Sequence, residues 1–173
     1  FTSIDMEISW IESHEDVMQM EERWIQHFLI SIKEQLGSAI ENVFGVDIRI
    51  PSVPFPRVTM EEAHAILRER QYTVPGATKT GDLDPEGERI LSRYIEELYQ
   101  HQFVFVTEYP WKLRPFYHMR YPESPDRTLS FDLLWNGLEV TTGAQREHRY
   151  DVLARQALEK GIDVEQIQYY LDF

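Results

Sequence analysis

The chain has 173 residues, a formal net charge of −13 and no cysteine, and 42% of its residues are hydrophobic. This length is enough for one domain with a real core, and the lack of cysteine excludes disulfides and thiolate chemistry. The negative charge argues against an extended nucleic-acid surface, and no apolar run approaches the ~20 residues of a membrane span. We therefore expect a globular intracellular protein that is not inserted in a membrane.

The N-terminal third predicts a strand followed by a long helix. Residues 1–11 alternate between apolar and polar side chains, with Asp5 and Glu7 on the polar face. Ser13 then predicts the start of a helix of about 23 residues. Its apolar stripe is expected in the core: Val17, Met20, Trp24, Phe28, Ile32 and Leu36. Its acidic residues are expected on a solvated face: Glu15, Asp16, Glu21 and Glu22.

The middle of the chain predicts two further helices. A short strand is expected over residues 46–50, before a connector with three prolines. Thr59 and Glu62 form a capping box for a helix that ends near Arg70. Asp84 and Pro85 predict the start of the next helix.

The second half predicts mainly strands. Residues 102–109, residues 114–121 and the two arms around Asn136-Gly137 read as four β segments. A helix is expected from about Arg146 to Lys160, ended by Gly161, and Asp163 should cap a last helix. This order of elements predicts an α+β fold with a mainly antiparallel sheet flanked by helices.

The Asn136-Gly137 hairpin carries two candidate metal ligands. Counting outward from the turn places four residues on one face: Asp132, Leu134, Glu139 and Thr141. The other face takes Phe131, Leu133, Val140 and Thr142. Asp132 and Glu139 are then diagonal neighbours at roughly 7–8 Å, where like charges repel unless a cation lies between them. Such a pair suits Mg²⁺, and the alternative is a surface carboxylate pair on a solvated face.

Other candidate residues are weaker on spacing alone. Arg146 could read a carboxylate or phosphate, or form a surface ion pair with Glu147 or Glu159. Asp5 and Glu7 could bind an ammonium group or be plain edge charges. The sequence contains no G-x-S-x-G, no P-loop and no G-x-G-x-x-G, so a protein that uses ATP would need another nucleotide-binding fold.

Four stretches resemble the catalytic domain of class II aminoacyl-tRNA synthetases, and within that class the aspartyl-tRNA synthetases of archaeal and eukaryotic type. They are FTSIDMEISWI, PFPRVTMEEA, PFYHMRY and, most specifically, FDLLWNGLEVTTGAQREHRYD. The resemblance implies the class II fold, with ATP and Mg²⁺ as cofactors. It also implies cytoplasmic activation of L-aspartate to aspartyl-adenylate and transfer to tRNA(Asp).

The resemblance also implies roles for five residues. Glu139 would bind Mg²⁺ and ATP, with Asp132 as its acidic partner in both roles. Thr142 would contribute to the metal and the aspartate, and Arg146 would grip the substrate carboxylate. Asp5 would lie near the substrate amino group. Glu139 and Arg146 would thus be the catalytic pair.

Two features of the hairpin motif depart from expectation. An ideal two-residue hairpin places Thr142 on the face opposite Glu139, so we expect a bulge near Thr141–Gly143 to bring its hydroxyl round. The run Thr-Thr-Gly-Ala stands where Ser-Ser-Gly-Gly is usual, and the methyl group of Ala144 should alter the pocket.

Residues 1–173 are expected to be a partial catalytic domain between the second and third class II motifs. A helical insertion would span about 14–100, and the sheet with its closing helices about 102–173. The missing class II motifs and anticodon-binding barrel predict an inactive isolated piece, with a homodimeric parent enzyme. The alternatives are an asparaginyl-tRNA synthetase, a non-discriminating aspartyl-tRNA synthetase, a paralogue that synthesises asparagine, and a non-catalytic interaction module.

Overall fold

The computed structural model describes residues 2–75 and 81–172. The helices are α1 (His14–Phe44), α2 (Met60–Glu69), α3 (Pro85–Tyr99), α4 (Tyr150–Glu159) and α5 (Gln168–Leu171). The strands are β1 (Arg57–Thr59), β2 (Phe103–Thr107), β3 (Ser130–Trp135) and β4 (Leu138–Ala144). Short 3-10 turns occur at Trp111–Leu113 and Val164–Ile167. Within the described ranges, no helix combines the length and apolarity that crossing a membrane requires.

The four strands form one sheet in the order β1-β2-β3-β4. The β2–β3 and β3–β4 pairs are antiparallel, which confirms the expected mainly antiparallel sheet. The β1–β2 pair is parallel, a detail that the sequence did not predict. Helices α2 and α3 provide the crossover that a parallel pair requires.

The sheet is covered on both faces, which explains why β2 is apolar at nearly every position. On one face, α1 packs against β2 and β3 through this cluster: Met18, Ile25, Leu29, Phe55, Phe103, Phe105, Phe131 and Leu133. On the other face, α2 and α3 pack through a second cluster: Val58, Met60, Ala63, Leu91, Ile95, Val104, Val106, Tyr109 and Leu134. Successive residues of each strand therefore alternate between two apolar layers.

Local signals for helix ends are confirmed. The hydroxyl of Ser13 and the carboxylate of Asp16 form a capping box, and a second one joins Thr59 and Glu62. The carboxylate of Asp84 accepts a hydrogen bond from the Gly87 amide at 2.9 Å. Helix α1 runs for 31 residues, past the expected length, and ends at Gly45 in the left-handed region.

The predicted apolar stripe of α1 is only partly confirmed, since Val17 and Trp24 pack half-buried against the core cluster but the fully buried positions differ from the predicted ones. The residues buried against the sheet are His14, Met18, Glu21, Glu22, Ile25 and Leu29. Phe28 and Leu36 are exposed. Glu22, expected on the solvated face, is buried because its carboxylate bonds the Phe55 amide at 2.9 Å and the Arg57 guanidinium at 2.8 Å. A periodicity that counts only apolar residues cannot find buried carboxylates that have partners elsewhere in the chain.

Three predicted strands are absent from the described part of the chain. Residues 2–12 and 46–50 form no strand, and residues 114–121 contribute only isolated bridges, His118 to Arg146 and Arg120 to Thr128. Alternation in a sequence specifies faces, but a strand also needs a partner with free backbone groups. The helix expected from Arg146 begins instead at Tyr150, so Arg146 lies in the segment that follows β4.

Candidate functional site

The hairpin forms at the predicted turn but with an irregular register. Asn136 and Gly137 both have positive φ, 52° and 81°, as a type I′ turn requires. Leu134 pairs with Glu139 as predicted, and then the register shifts between Leu133 and Leu134. Val140 is the extra, unpaired residue of a β-bulge. From Thr141 onward, each residue of β4 therefore pairs with a residue one position later on β3 than an ideal hairpin would give.

The bulge decides which threonine faces the carboxylates. Asp132 pairs with Thr142, and Leu133 pairs with Thr141. Because directly opposed residues share a face, Thr142 lies on the side of Asp132 and Glu139. The prediction that Thr141 lies on that face is wrong. The bulge expected near Thr141–Gly143 is present, but it lies at Val140, one residue before that segment.

Arg114 joins Asp132 to Thr142, and sequence reasoning missed it. Its Nη2 donates to Asp132 Oδ2 at 2.6 Å, and its Nη1 donates to Thr142 Oγ1 at 3.3 Å. The guanidinium carbon lies 3.6 Å from the centre of the Tyr109 ring. The only sequence signal was its place at the start of the segment that contains PFYHMRY.

Glu139 lies in a negatively charged neighbourhood. Partial desolvation, followed by the charge of Asp132, raises the pKa of Glu139. Glu88 on α3 has a pKa raised to about 7, by burial first and then by Glu139 and Asp82. Asp132 Oδ1 is buried and accepts no hydrogen bond from the described residues. Glu139, rather than the ion-paired Asp132, is therefore the carboxylate on this face that fits a divalent cation.

The described residues contain no group of three or more His, Asp or Glu side chains that could by itself hold a metal. A site for Mg²⁺ does not require such a group, because this ion commonly binds one or two carboxylates and takes its other ligands from water and substrate phosphates.

A cavity of about 540 Å³ lies beside β4 and brings together three of the predicted substrate residues, Asp5, Thr142 and Arg146. Its volume is within the ordinary range for small-molecule pockets. Asp132 and Glu139 are not among its lining residues. Among the lining residues that sequence reasoning did not assign to the site are Glu21, Tyr117 and His118.

Arg146 does not form either of the ion pairs considered from the sequence. Its guanidinium pairs with Glu7 and lies 5.6 Å from the centre of the Tyr117 ring. Glu147 pairs with Arg149 instead, and Glu159 with Arg120. The Arg146–Glu7 pair is exposed to solvent, so another carboxylate can compete for the guanidinium at little cost.

His118 is a buried, neutral part of the cavity wall. Burial, followed by the charge of Arg114, lowers its pKa to about 4. Its Nδ1 has no hydrogen-bond partner among the described residues. The imidazole can therefore still donate or accept one hydrogen bond.

Gly143 is required by close approach of the chain to Phe131. A Cβ at this position would lie 2.3 Å from Phe131 Cζ, so no larger residue fits without movement. Ala144, the expected departure, is half-buried and lines the cavity. The glycine that lets β4 pass over the aromatic ring thus lies directly between Thr142 and Ala144.

Comparison with known proteins places the whole chain in one family. The family model described as tRNA synthetases class II (D, K and N) matches residues 1–173. An aspartate–tRNA(Asp/Asn) ligase from Aeropyrum pernix is 42% identical over 174 residues, which cover 100% of this chain and 39% of that protein.

Solved structures agree with this assignment. The aspartyl-tRNA synthetase from Entamoeba histolytica superposes with a TM-score of 0.84 at 26% identity, covering 96% of this chain and 34% of that one. The asparaginyl-tRNA synthetase from Pyrococcus horikoshii complexed with asparaginyl-adenylate gives a TM-score of 0.79 at 28% identity, covering 94% and 36%. This chain thus spans well under half the length of the relatives it matches. It belongs to the class II tRNA synthetases of the D, K and N family.

Proposed function

We propose that this chain is part of the catalytic domain of an aspartate–tRNA ligase, which activates L-aspartate with ATP and transfers it to tRNA. One observation carries the proposal. The bulge at Val140 puts Thr142 on the face of Asp132 and Glu139, while Thr142 also lines the cavity that holds Asp5 and Arg146. A hydroxyl shared by an acidic surface and a substrate-sized cavity suits a reaction between a phosphate and a carboxylate.

In this proposal Glu139 and Thr142 hold Mg²⁺, with Asp132 beside them. Mg²⁺-bound ATP would supply an electrophilic phosphorus, and the metal would neutralise negative charge on the phosphate oxygens. The raised pKa of Glu139 supports the assignment, because a nearby cation would relieve the repulsion between Glu139 and Asp132.

Arg146 reads the side-chain carboxylate of aspartate. Its planar guanidinium can donate two parallel hydrogen bonds to a carboxylate, whereas the amide of asparagine offers one oxygen and no charge. Glu7 occupies Arg146 in the structure, so aspartate must displace or share that contact. Asp5 lines the same cavity, and its carboxylate accepts hydrogen bonds from the substrate ammonium group.

The activity, substrates and assembly of the whole protein belong to the proposal. We infer that residues 1–173 are a partial catalytic domain, that the parent enzyme forms a homodimer in the cytoplasm, and that tRNA(Asp) is its nucleic-acid partner. A second candidate is charging of both tRNA(Asp) and tRNA(Asn). This second candidate is supported by the Aeropyrum pernix relative, which is 42% identical and is named an aspartate–tRNA(Asp/Asn) ligase.

Aspartate-dependent exchange of pyrophosphate into ATP, measured on the full-length parent protein, tests the activation step. Glu139→Gln should reduce exchange about 100-fold because the neutral amide is a much weaker ligand for Mg²⁺ than the carboxylate. The matched control is Glu34→Gln, at an exposed position on α1, which should leave exchange unchanged. Exchange with asparagine but not aspartate, or full activity of Glu139→Gln, would contradict the proposal. Aminoacylation of purified tRNA(Asp) and tRNA(Asn) distinguishes the two candidates.

A further inference from the structure

Arg114 is held on three sides by residues of different elements. It bonds Asp132 on β3 and Thr142 on β4, and its guanidinium stacks on Tyr109. The side chains of Arg114 and Asp132 are only 14% and 7% exposed. The guanidinium therefore has one accessible arrangement, and that arrangement spans the two strands that carry the proposed metal ligands.

The hydrogen bond from Arg114 fixes the orientation of the Thr142 hydroxyl. A threonine hydroxyl has one proton and two lone pairs, and Arg114 Nη1 donates to one of those lone pairs. The proton and the second lone pair must then point away from Arg114. Because Thr142 is exposed and lines the cavity, its proton and second lone pair are available to a ligand.

The ion pair between Arg114 and Asp132 also makes the carboxylates of Asp132 and Glu139 differ in charge compensation. Asp132 is buried and compensated by Arg114, whereas Glu139 is exposed and forms no salt bridge with another described residue. Glu139 is left as the carboxylate that is open to a cation, while Asp132 is occupied on one oxygen and buried on the other.

Stability alone explains this arrangement poorly. A buried ion pair is often no more stabilising than apolar residues of the same shape. The contact that stability does not require is the one to the exposed Thr142.

We propose that Arg114 is a positioning residue of the activation site, which orients the hydroxyl of Thr142 and holds the carboxylate of Asp132 so that Glu139 and Thr142 bind Mg²⁺–ATP. This inference rests on the proposed function. Residues that orient metal ligands in this way typically contribute 10–100-fold to metal affinity or activity.

The chain offers a matched control. Arg120 also stacks on an aromatic ring, with its guanidinium carbon 3.7 Å from the centre of the Trp111 ring, and also pairs with a carboxylate, that of Glu159. Its side chain is 18% exposed, close to the 14% of Arg114. Arg120 contacts none of the proposed site residues through these interactions.

The test uses the full-length parent protein and its variants Arg114→Lys and Arg120→Lys. A lysine keeps the charge but cannot reach Asp132 and Thr142 together. Calorimetric titrations with ATP, repeated at a series of Mg²⁺ concentrations, give the Mg²⁺ concentration at which ATP binding is half-maximal. We expect that concentration to rise about 10–100-fold in Arg114→Lys, and to stay within about twofold in Arg120→Lys because its contacts lie outside the site. An unchanged value in Arg114→Lys, or equal rises in both variants, would overturn the inference.

Two variants of Thr142 keep the test available if Arg114→Lys fails to fold. Thr142→Val removes the hydroxyl that Arg114 orients and should reproduce the rise in half-saturating Mg²⁺, whereas Thr142→Ser keeps the hydroxyl and should not. Equal affinities of these two variants would overturn the inference. Lack of aspartate-dependent exchange in the wild-type parent would remove the proposed function instead, even if Mg²⁺–ATP still bound.

Discussion

The carboxylate of Glu21 on α1 accepts a hydrogen bond from the hydroxyl of Thr141 on β4, across 120 positions of the chain. Glu21 is only 6% exposed, and burial raises its pKa. The contact fastens the edge strand to the long helix immediately after the bulge. Thr141 is thus held on one face of β4 by Glu21, while Thr142 is held on the other by Arg114.

Removing the Thr141 hydroxyl should destabilise the protein. Thr141→Val leaves the Glu21 carboxylate buried without this donor, so we expect the free energy of unfolding to fall by about 1–3 kcal/mol. Glu21→Gln should cost less, because the amide still accepts the hydrogen bond and carries no buried charge. Urea denaturation measures both variants. A Thr141→Val variant as stable as the wild type would show that the hydrogen bond has no net effect.

Gly143→Ala should be destabilising because of its contact with Phe131. The added methyl carbon would lie 2.3 Å from Phe131 Cζ, and the resulting displacement should cost about 1–3 kcal/mol. Gly37→Ala is the control. The nearest atom to its new methyl would be Lys33 Cγ at 3.5 Å in the middle of α1, so it should stabilise by about 0.5–1 kcal/mol.

Phe131→Leu tests the cause of the Gly143→Ala effect. In the Phe131→Leu background the ring edge is gone, and Gly143→Ala should cost less than it does alone. The four unfolding free energies of the double-mutant cycle give the coupling directly. Purely additive costs would mean that the ring is not what excludes a side chain at position 143.

Glu88 should make stability fall as the pH rises. The folded protein retains a proton on Glu88 up to about pH 7, whereas the unfolded chain loses it near the ordinary value of 4.5. Between these values the native state binds more protons, so the contribution of Glu88 to stability is complete below pH 4.5 and lost above about pH 7. Because Glu88 is half-buried, we expect about 1–2 kcal/mol from this shift.

The comparison of wild type with Glu88→Gln from pH 4 to 8 isolates this term. The variant should match the wild type near pH 4.5 and be more stable above pH 7, where the wild-type carboxylate is charged beside Glu139. A difference that does not change with pH would show that Glu88 has an ordinary pKa. Added Mg²⁺ should narrow the difference at pH 8 if a cation binds near Glu139.

His118 should have the opposite pH dependence. Its folded pKa is about 4, below the ordinary 6.5, so between these values the unfolded chain binds the proton that the native state excludes. Stability should therefore fall as the pH drops from 6.5 to 4, by up to about 3 kcal/mol. In His118→Gln this loss should be absent, which denaturation curves at pH 4.5 and 7 can check. The same loss in the variant would assign it to another group.

Much of the fold was predictable because its signals are local. The capping boxes at Ser13 and Thr59, the Asp84 cap and the Asn136-Gly137 turn each depend on residues within four positions of one another. The resemblance to class II synthetases likewise depended on short runs of sequence, and the family match confirms it. The predicted roles of Asp5, Asp132, Glu139, Thr142 and Arg146 remain predictions, and the experiments above test those of Glu139 and Thr142.

The sequence by itself determined the starts of α1, α2 and α3, the hairpin turn and the class of fold, because backbone geometry at caps and turns depends on neighbouring side chains. Only the tertiary structure decided which residues face each other. The bulge at Val140 moved Thr142 to the acidic face, Arg114 joined it to Asp132, and Glu21 and Glu22 became buried beside partners far along the chain. Those outcomes depend on strand register and on contacts between distant elements, neither of which a local pattern contains.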